Sequence, residues 1–526
     1  MSRLLLSILL LGFCFSALAQ DYDQRFARAD VLHYKFEIGV YGNFHYGYNA
    51  AHITTFFKTN TDSLTLDFVK SNKSGSSSIK KVEIDGNICE YIWIKDKLTL
   101  IFPTVKAGET HTISVYYSFG SDDGLIIALN RFNKNTAFAD NWPNRARHWI
   151  PTIDHPGDKA TVEFLVNVPS NLDVIANGKL QSVTKLEKTR SLWHYKTDYP
   201  LPTKVMVIGV ADFETQVIGN FDGTEVSTWV FADNSKNGFA DYNVASEPLV
   251  YFNKLIGPYP FDKLANVQSK TRYGGMENAS AIFYAENTVT GKGRLESLFA
   301  HEIAHQWFGN SVSESNWYHV WLSEGFATYL ENCYMGFKFG TDSFNYCMKY
   351  DGNLVRNFNN RVQKPVIDTT ITDYEELLNP NSYQKGAWFL HMLRKQVGDS
   401  LFWLSVRKFY DTYKFANADT RMFKEVVETQ TGRKLDNFFN CWLYKPGLPR
   451  ISTAFQSMGD SIKITIIQEQ NADAFEFKLD VRLKFLNDVF ADYTFDIKEK
   501  FEVFFIKNNQ QPLELIADPN GWLLRE

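Results

Sequence analysis

Two histidines four residues apart, in His301-Glu302-Ile303-Ala304-His305, constrain this chain more than any other feature. On a helix, residues at that spacing lie on one face about a turn apart, so their imidazoles can converge on a single ion. Glu302 sits beside that face, where its carboxylate can reach a water on such an ion without ligating it. The pentapeptide therefore predicts a helix, a metal of the zinc type and hydrolytic chemistry. The alternative is an ordinary polar helix face, and a third ligand further along the chain is what separates the two.

A chain of 526 residues is too long for one hydrophobic core, so roughly two to four domains are expected. The net charge of -5 is spread without long single-sign runs, which leaves no electrostatic footprint for nucleic acid or an anionic membrane. Residues 1–19 read as a secretory leader: Arg3, an apolar stretch from Leu4 to Phe15, then Ala17-Leu18-Ala19 before Gln20. A secreted protein, periplasmic or extracellular, is expected. The apolar stretch is short for a membrane span, and the bulky Phe13 argues against lipidation at Cys14. No later segment has the run of apolar residues that a transmembrane helix needs. Cys89, Cys333, Cys347 and Cys441 remain, too scattered for a disulfide scaffold and without metal-ligand spacing. Buried free thiols are expected, and a Cys333–Cys347 pair in an oxidising compartment is the alternative that the sequence leaves open.

Residues 20–215 alternate apolar and polar positions in short runs, among them Leu64, Leu66, Phe68 and Val162, Phe164, Val166, Val168. An antiparallel β domain is expected there. From 216 a last pair of β-like runs gives way to helical periodicity, near Ala240 to Leu255 and onward to about Leu443. Lys445-Pro446-Gly447-Leu448-Pro449 breaks it, and alternation returns in Ile462, Ile464, Ile466 and from Phe475 to Phe485. The fold class predicted is multidomain α+β: an N-terminal antiparallel β domain (20–215), a mainly helical catalytic domain (216–445) and a small C-terminal β-sandwich (446–526).

A third ligand should be an acid on a neighbouring helix. Glu324, in Trp321-Leu322-Ser323-Glu324-Gly325-Phe326-Ala327, follows His305 after 18 intervening residues, with Ser323 the expected N-cap of its helix. In that apolar setting the carboxylate should be buried, and a buried carboxylate needs a partner such as a metal.

With Glu324 in place, the chain resembles the M1 (gluzincin) family of zinc aminopeptidases, whose pattern is H-E-x-x-H, 18 residues, then E. The resemblance runs over His301 to Asn310 and Trp321 to Ala327, and Gly274-Gly275-Met276-Glu277-Asn278 is similar to the family's G-x-M-E-N signature. It implies one zinc per chain on His301, His305 and Glu324, a thermolysin-like catalytic domain, and peptide substrates with a free N-terminus. It also implies Glu302 as general base and Gly274 to Asn278 as the substrate-binding segment. There Glu277 would hold the amine while the glycines let a substrate strand pair edge-on. Tyr383, in Tyr383-Gln384-Lys385-Gly386, is similar to the family's Tyr-x-Lys-Gly tyrosine that stabilises the oxyanion. Glu331, seven residues past Glu324, is a weaker candidate for orienting a ligating histidine.

Two departures from the family stand out. Many members add a Glu or Gln from the N-terminal β domain as a second amine anchor, whereas here Trp142 falls near that place, with Asp140 or Asn141 as substitutes. The chain also resembles a short form without the large helical C-terminal domain, which predicts a more open cleft. A metalloendopeptidase would share the zinc core without needing Glu277, an epoxide hydrolase is known on the same scaffold, and a non-catalytic peptide-binding protein could keep the fold.

Overall fold

A computed structural model describes residues 22–40, 49–71, 75–120 and 123–526; the leader expected at 1–19 lies outside them. The chain divides into two compact units, Met1–Trp317 with Tyr413–Asn417, and Tyr318–Thr412 with Ala418–Glu526.

In the first unit a large sheet is built around Ala29–Gly39. Lys159–Pro169 shows why these segments are strands: Ala160, Val162, Phe164, Val166 and Val168 are buried while the residues between them are half-exposed, a period of two that buries one face. Each such Val or Phe contributes about 1.5–3 kcal/mol relative to an exposed one. The sheet is not wholly antiparallel as expected. Ala29–Gly39 pairs antiparallel with Asn49–Phe57 but parallel with Lys159–Pro169, His33 opposite Thr161. Alternation is the same for both directions, so direction was invisible in the pattern.

Further along the same unit, Phe213–Phe221, Thr224–Phe231, Lys263–Ser269, Ala281–Ala285 and Gly275–Met276 form a five-stranded sheet in that order. Thr224–Phe231, Lys263–Ser269 and Ala281–Ala285 run parallel, while Gly275–Met276 is antiparallel and lies at the edge. The strands at 263–285 correct the expectation that helical segments carry the chain onward from about residue 240. Leu264 to Ser269 are all buried, so no alternation marks the strand. The helix Glu296–Ala304 packs on this sheet, the Phe299 ring stacked on Tyr284 at 4.1 Å. Asp241 fixes the loop before that helix by accepting from the backbone N–H groups of Thr290, Gly291 and Gly293 at 2.6–2.7 Å.

In the second unit the helices Trp321–Phe339, Thr341–Asn359 and Gly386–Val397 pack together around rings that include Trp321, Phe326 and Phe389. The chain then leaves a π-helical turn at Asn440–Tyr444 and enters two three-stranded sheets. One is Ile451–Met458, Ser461–Gln468, Phe501–Lys507; the other is Phe490–Ile497, Phe477–Lys484, Glu514–Ala517. Cys89, Cys333, Cys347 and Cys441 are free thiols, so Cys333 and Cys347 are not joined; burial pushes Cys333 up to about 12 and Cys347 up to about 11. Among the described residues, no helix is long and apolar enough to cross a membrane.

Candidate functional site

The helix Glu296–Ala304 carries His301 and ends against His305, whose backbone N–H donates to the His301 carbonyl at 3.3 Å. The two rings face each other edge to face, with Nε2 atoms 3.1 Å apart. Two nitrogens bound tetrahedrally to one zinc at about 2.0–2.1 Å would lie about 3.3 Å apart, so the pair suits two corners of such a site. A carbonyl can only accept, so the 3.2 Å contact between His305 Nδ1 and the Phe308 carbonyl places the ring proton on Nδ1 and leaves the Nε2 lone pair for a metal. Among the described residues, His301, His305 and Glu324 are a group of histidine and carboxylate side chains that can hold a metal ion.

Glu302 is buried, 6% exposed, and lies against Gly275 of the edge strand. A Cβ on Gly275 would stand 2.3 Å from Glu302 Oε1, so only glycine leaves that carboxylate its place. Gly275 and Met276 pair with Tyr284 and Phe283, and their outer edge ends the sheet. Beyond Met276 the chain leaves the ladder, and the Glu277 carbonyl accepts instead from two side-chain amides, Gln306 Nε2 at 2.7 Å and Asn310 Nδ2 at 2.6 Å. The Glu277 side chain is 5% exposed and its Oε1 is buried with no hydrogen-bond partner. Such an oxygen is costly unless a cationic donor reaches it. Asn278 is fully buried beside it in sequence, its side-chain atoms without hydrogen-bond partners.

Gln306 and Asn310 were not singled out by sequence reasoning. Their only signal was a pair of amides four apart, continuing the spacing of the histidines. Asp140 and Asn141 are both fully buried and already engaged. Asp140 accepts from Arg145 at 2.6 Å and from the Arg272 N–H at 3.1 Å, bracing the chain just ahead of Gly274. Asn141 donates to the Thr203 and Met206 carbonyls and accepts from the Trp149 indole. Trp142 is buried and meets Trp317 edge to face at 5.5 Å. Near them Glu314, fully buried, accepts from Lys204 at 2.6 Å; burial pushes its carboxyl up and Lys204 opposes the rise.

In the second unit, Glu324 occupies the first turn of Trp321–Phe339 and is 3% exposed. That helix begins at Trp321, not after an N-cap at Ser323: Val320 is already helical, and the chain enters from a 3-10 turn at Trp317–His319. Glu331 stands on the same helix, half-buried. Tyr383, also half-buried, lies in a π-helical turn, Asn381–Lys385, that runs into the helix Gly386–Val397. A Cβ on Gly325, next to Glu324, would stand 2.9 Å from the Gly386 Cα and 3.3 Å from the Ser382 carbonyl. This backbone-to-backbone contact is what brings the Tyr383 turn against the Glu324 turn. It also gives the glycine in Tyr383-Gln384-Lys385-Gly386 a reason. Lys385 is fully buried, donates to the Gly447 carbonyl at 3.1 Å, and is pushed down to about 8 by that burial.

Residues 239–442 match the model of the peptidase family M1 domain, and residues 32–205 that of the peptidase M1 N-terminal domain. A probable aminopeptidase of Saccharolobus solfataricus is 26% identical over 386 residues, 70% of this chain and 47% of that protein. A probable aminopeptidase of Sulfurisphaera tokodaii is 30% identical over 346 residues, 62% of this chain and 43% of that protein. The chain thus spans about half the length of the curated relatives it matches. Among solved structures, Legionella pneumophila aminopeptidase A in complex with aspartic acid shares the fold over 95% of this chain and 59% of that one, with a TM-score of 0.83 at 16% identity. An M1 zinc metallopeptidase from Deinococcus radiodurans shares it over 80% of this chain and 95% of that one, with a TM-score of 0.69 at 23% identity.

Proposed function

This chain belongs to peptidase family M1, and from that premise we propose that it is a zinc-dependent aminopeptidase that removes single residues from the free N-termini of peptides. The observation that carries the reading is local to the first unit. The base-bearing helix, with its convergent histidine pair, lies against a glycine edge strand that runs straight into the buried, incompletely bonded carboxylate of Glu277. The edge strand can pair a substrate backbone, and the carboxylate can hold a protonated amine.

His301, His305 and Glu324 hold the metal in this reading, and the donor set is that of a catalytic zinc. Zinc, when bound, supplies Lewis acidity, lowering the pKa of a water toward neutrality and polarising the scissile carbonyl. Glu302 accepts the proton of the attacking water and returns it to the departing nitrogen. The Tyr383 hydroxyl donates to the carbonyl oxygen as negative charge builds there. Glu277 pairs with the α-amine, so the first peptide bond is the one presented, which distinguishes this reading from an endopeptidase. Residues 1–19 act as a leader, placing the enzyme outside the cytoplasm. The catalytic part is thermolysin-like, and the two C-terminal sheets close as a sandwich.

Glu302→Gln tests the mechanism. It should keep one zinc per chain and lower kcat on a leucyl anilide by about a thousandfold or more. Full activity in that variant would refute the assignment of the base.

A further inference from the structure

We propose that Gln306 and Asn310 are positioning residues for amine recognition, because their two side-chain amides tie the main chain of Glu277 to the segment that carries the histidines. This rests on the reading of Glu277 given above. The ladder between Gly275–Met276 and its neighbouring strand is only two residues long, and Glu277 is the first residue beyond it. Further on, Asn177 grips the Ala279 carbonyl at 2.7 Å, and Ser280 receives the Gly178 N–H at 3.1 Å. Between those holds, the Glu277 carbonyl is fixed by Gln306 at 2.7 Å and Asn310 at 2.6 Å.

The Gln306 amide is anchored at its oxygen and the Asn310 main chain on both sides, which makes the two residues braces and not merely contacts. Gln306 Oε1 accepts from the Ser280 N–H at 3.0 Å and from the Tyr259 hydroxyl at 3.3 Å. The Asn310 backbone donates to the His305 carbonyl at 3.1 Å, and its own carbonyl accepts from Lys159 at 3.1 Å. Gln306 and Asn310 are fully buried, so water cannot substitute for a lost donor without a cavity opening. The consequence is geometric: the distance from the histidine pair to the amine-holding carboxylate is set by two short side chains. That distance decides which bond is cut.

The test is direct binding to the zinc-loaded full chain by titration calorimetry, with leucine hydroxamate and its desamino analogue, 4-methylpentanohydroxamate. Both hydroxamates reach the metal, and only the first has an amine for Glu277. Asn310→Ala should shrink the advantage of the amino compound about fivefold to tenfold, leave the Kd of the desamino compound within about twofold, and keep zinc at one per chain. Gln306→Ala, which also releases Ser280 and Tyr259, should shrink it further. An unchanged advantage, or equal weakening of both compounds, would overturn the proposal. If Gln306→Ala does not fold, Asn310→Ala and Asn310→Leu carry the test. Loss of zinc or of the folded state in all three would overturn it too, since the amides would then be holding the fold. An unaltered protein with no preference for the amino compound would bring down the reading of Glu277 and this proposal together, whereas a preference unchanged in the variants brings down this proposal alone.

Discussion

Gly275→Ala should separate activity from stability. The added Cβ falls 2.3 Å from Oε1 and 2.5 Å from Cδ of Glu302, about 1 Å inside van der Waals contact. What it meets is the far end of a side chain and not backbone, so the fold can yield by swinging the Glu302 carboxylate out of its place. An off-rotamer glutamate costs about 1 kcal/mol, and the urea midpoint should move little. The catalytic cost is larger: displacing a general base by about 1 Å lowers kcat about a hundredfold, or about 2.7 kcal/mol in the barrier. Zinc should stay bound, since His301 and His305 keep their positions. The assay is kcat on leucyl p-nitroanilide alongside a urea melt and metal analysis. A kcat within threefold of the unaltered protein would refute the argument that Gly275 is required to make room for Glu302.

Gly325→Ala is the opposite case, because its Cβ meets the Gly386 backbone at 2.9 Å; it should destabilise by about 1–3 kcal/mol in urea unfolding. Tyr383→Phe should lower kcat by about a hundredfold to a thousandfold with KM within threefold, measured by steady-state kinetics on the same anilide. Asp67 gives a pH dependence with a definite sign. Burial alone would raise its carboxyl, but Arg147, Arg25 and Lys97 hold it well below the usual range. Its stabilising contribution is therefore present above about pH 4 and lost as the pH falls below that value, because the unfolded chain then binds the proton first. Thermal unfolding from pH 7 to 3 should show that loss, and Asp67→Asn should flatten it while costing about 3–5 kcal/mol at pH 7.

The parts of the site that a local period can encode were legible in the chain. His301, Glu302 and His305 needed only helical spacing, and the helix is there. Strand alternation likewise announced Lys159–Pro169, though not that it pairs parallel with Ala29–Gly39, since inward and outward positions alternate in either direction. Lys263–Ser269 escaped notice because its buried run has no polar beat to set it apart from a buried helix. The helix bearing Glu324 begins earlier than a cap at Ser323 would put it, because Val320 enters it already helical. The bracing of Glu277 by Gln306 and Asn310 was illegible for a different reason: it joins segments about 30 residues apart through side chain and backbone, and no periodicity reports such a contact. The engagement of Asp140 and Asn141 is of the same kind.

In the proposed mechanism a zinc site and an amine-holding carboxylate act together on the first peptide bond. The most direct measurement compares leucyl p-nitroanilide with its N-acetyl derivative, using protein loaded with one zinc per chain and the same protein after chelation. Rapid cleavage of the free-amine substrate is expected, with loss of that activity on chelation, recovery on adding zinc, and a kcat/KM for the acetylated substrate at least a hundredfold lower. Comparable cleavage of the two substrates, or activity that persists without zinc, would contradict it.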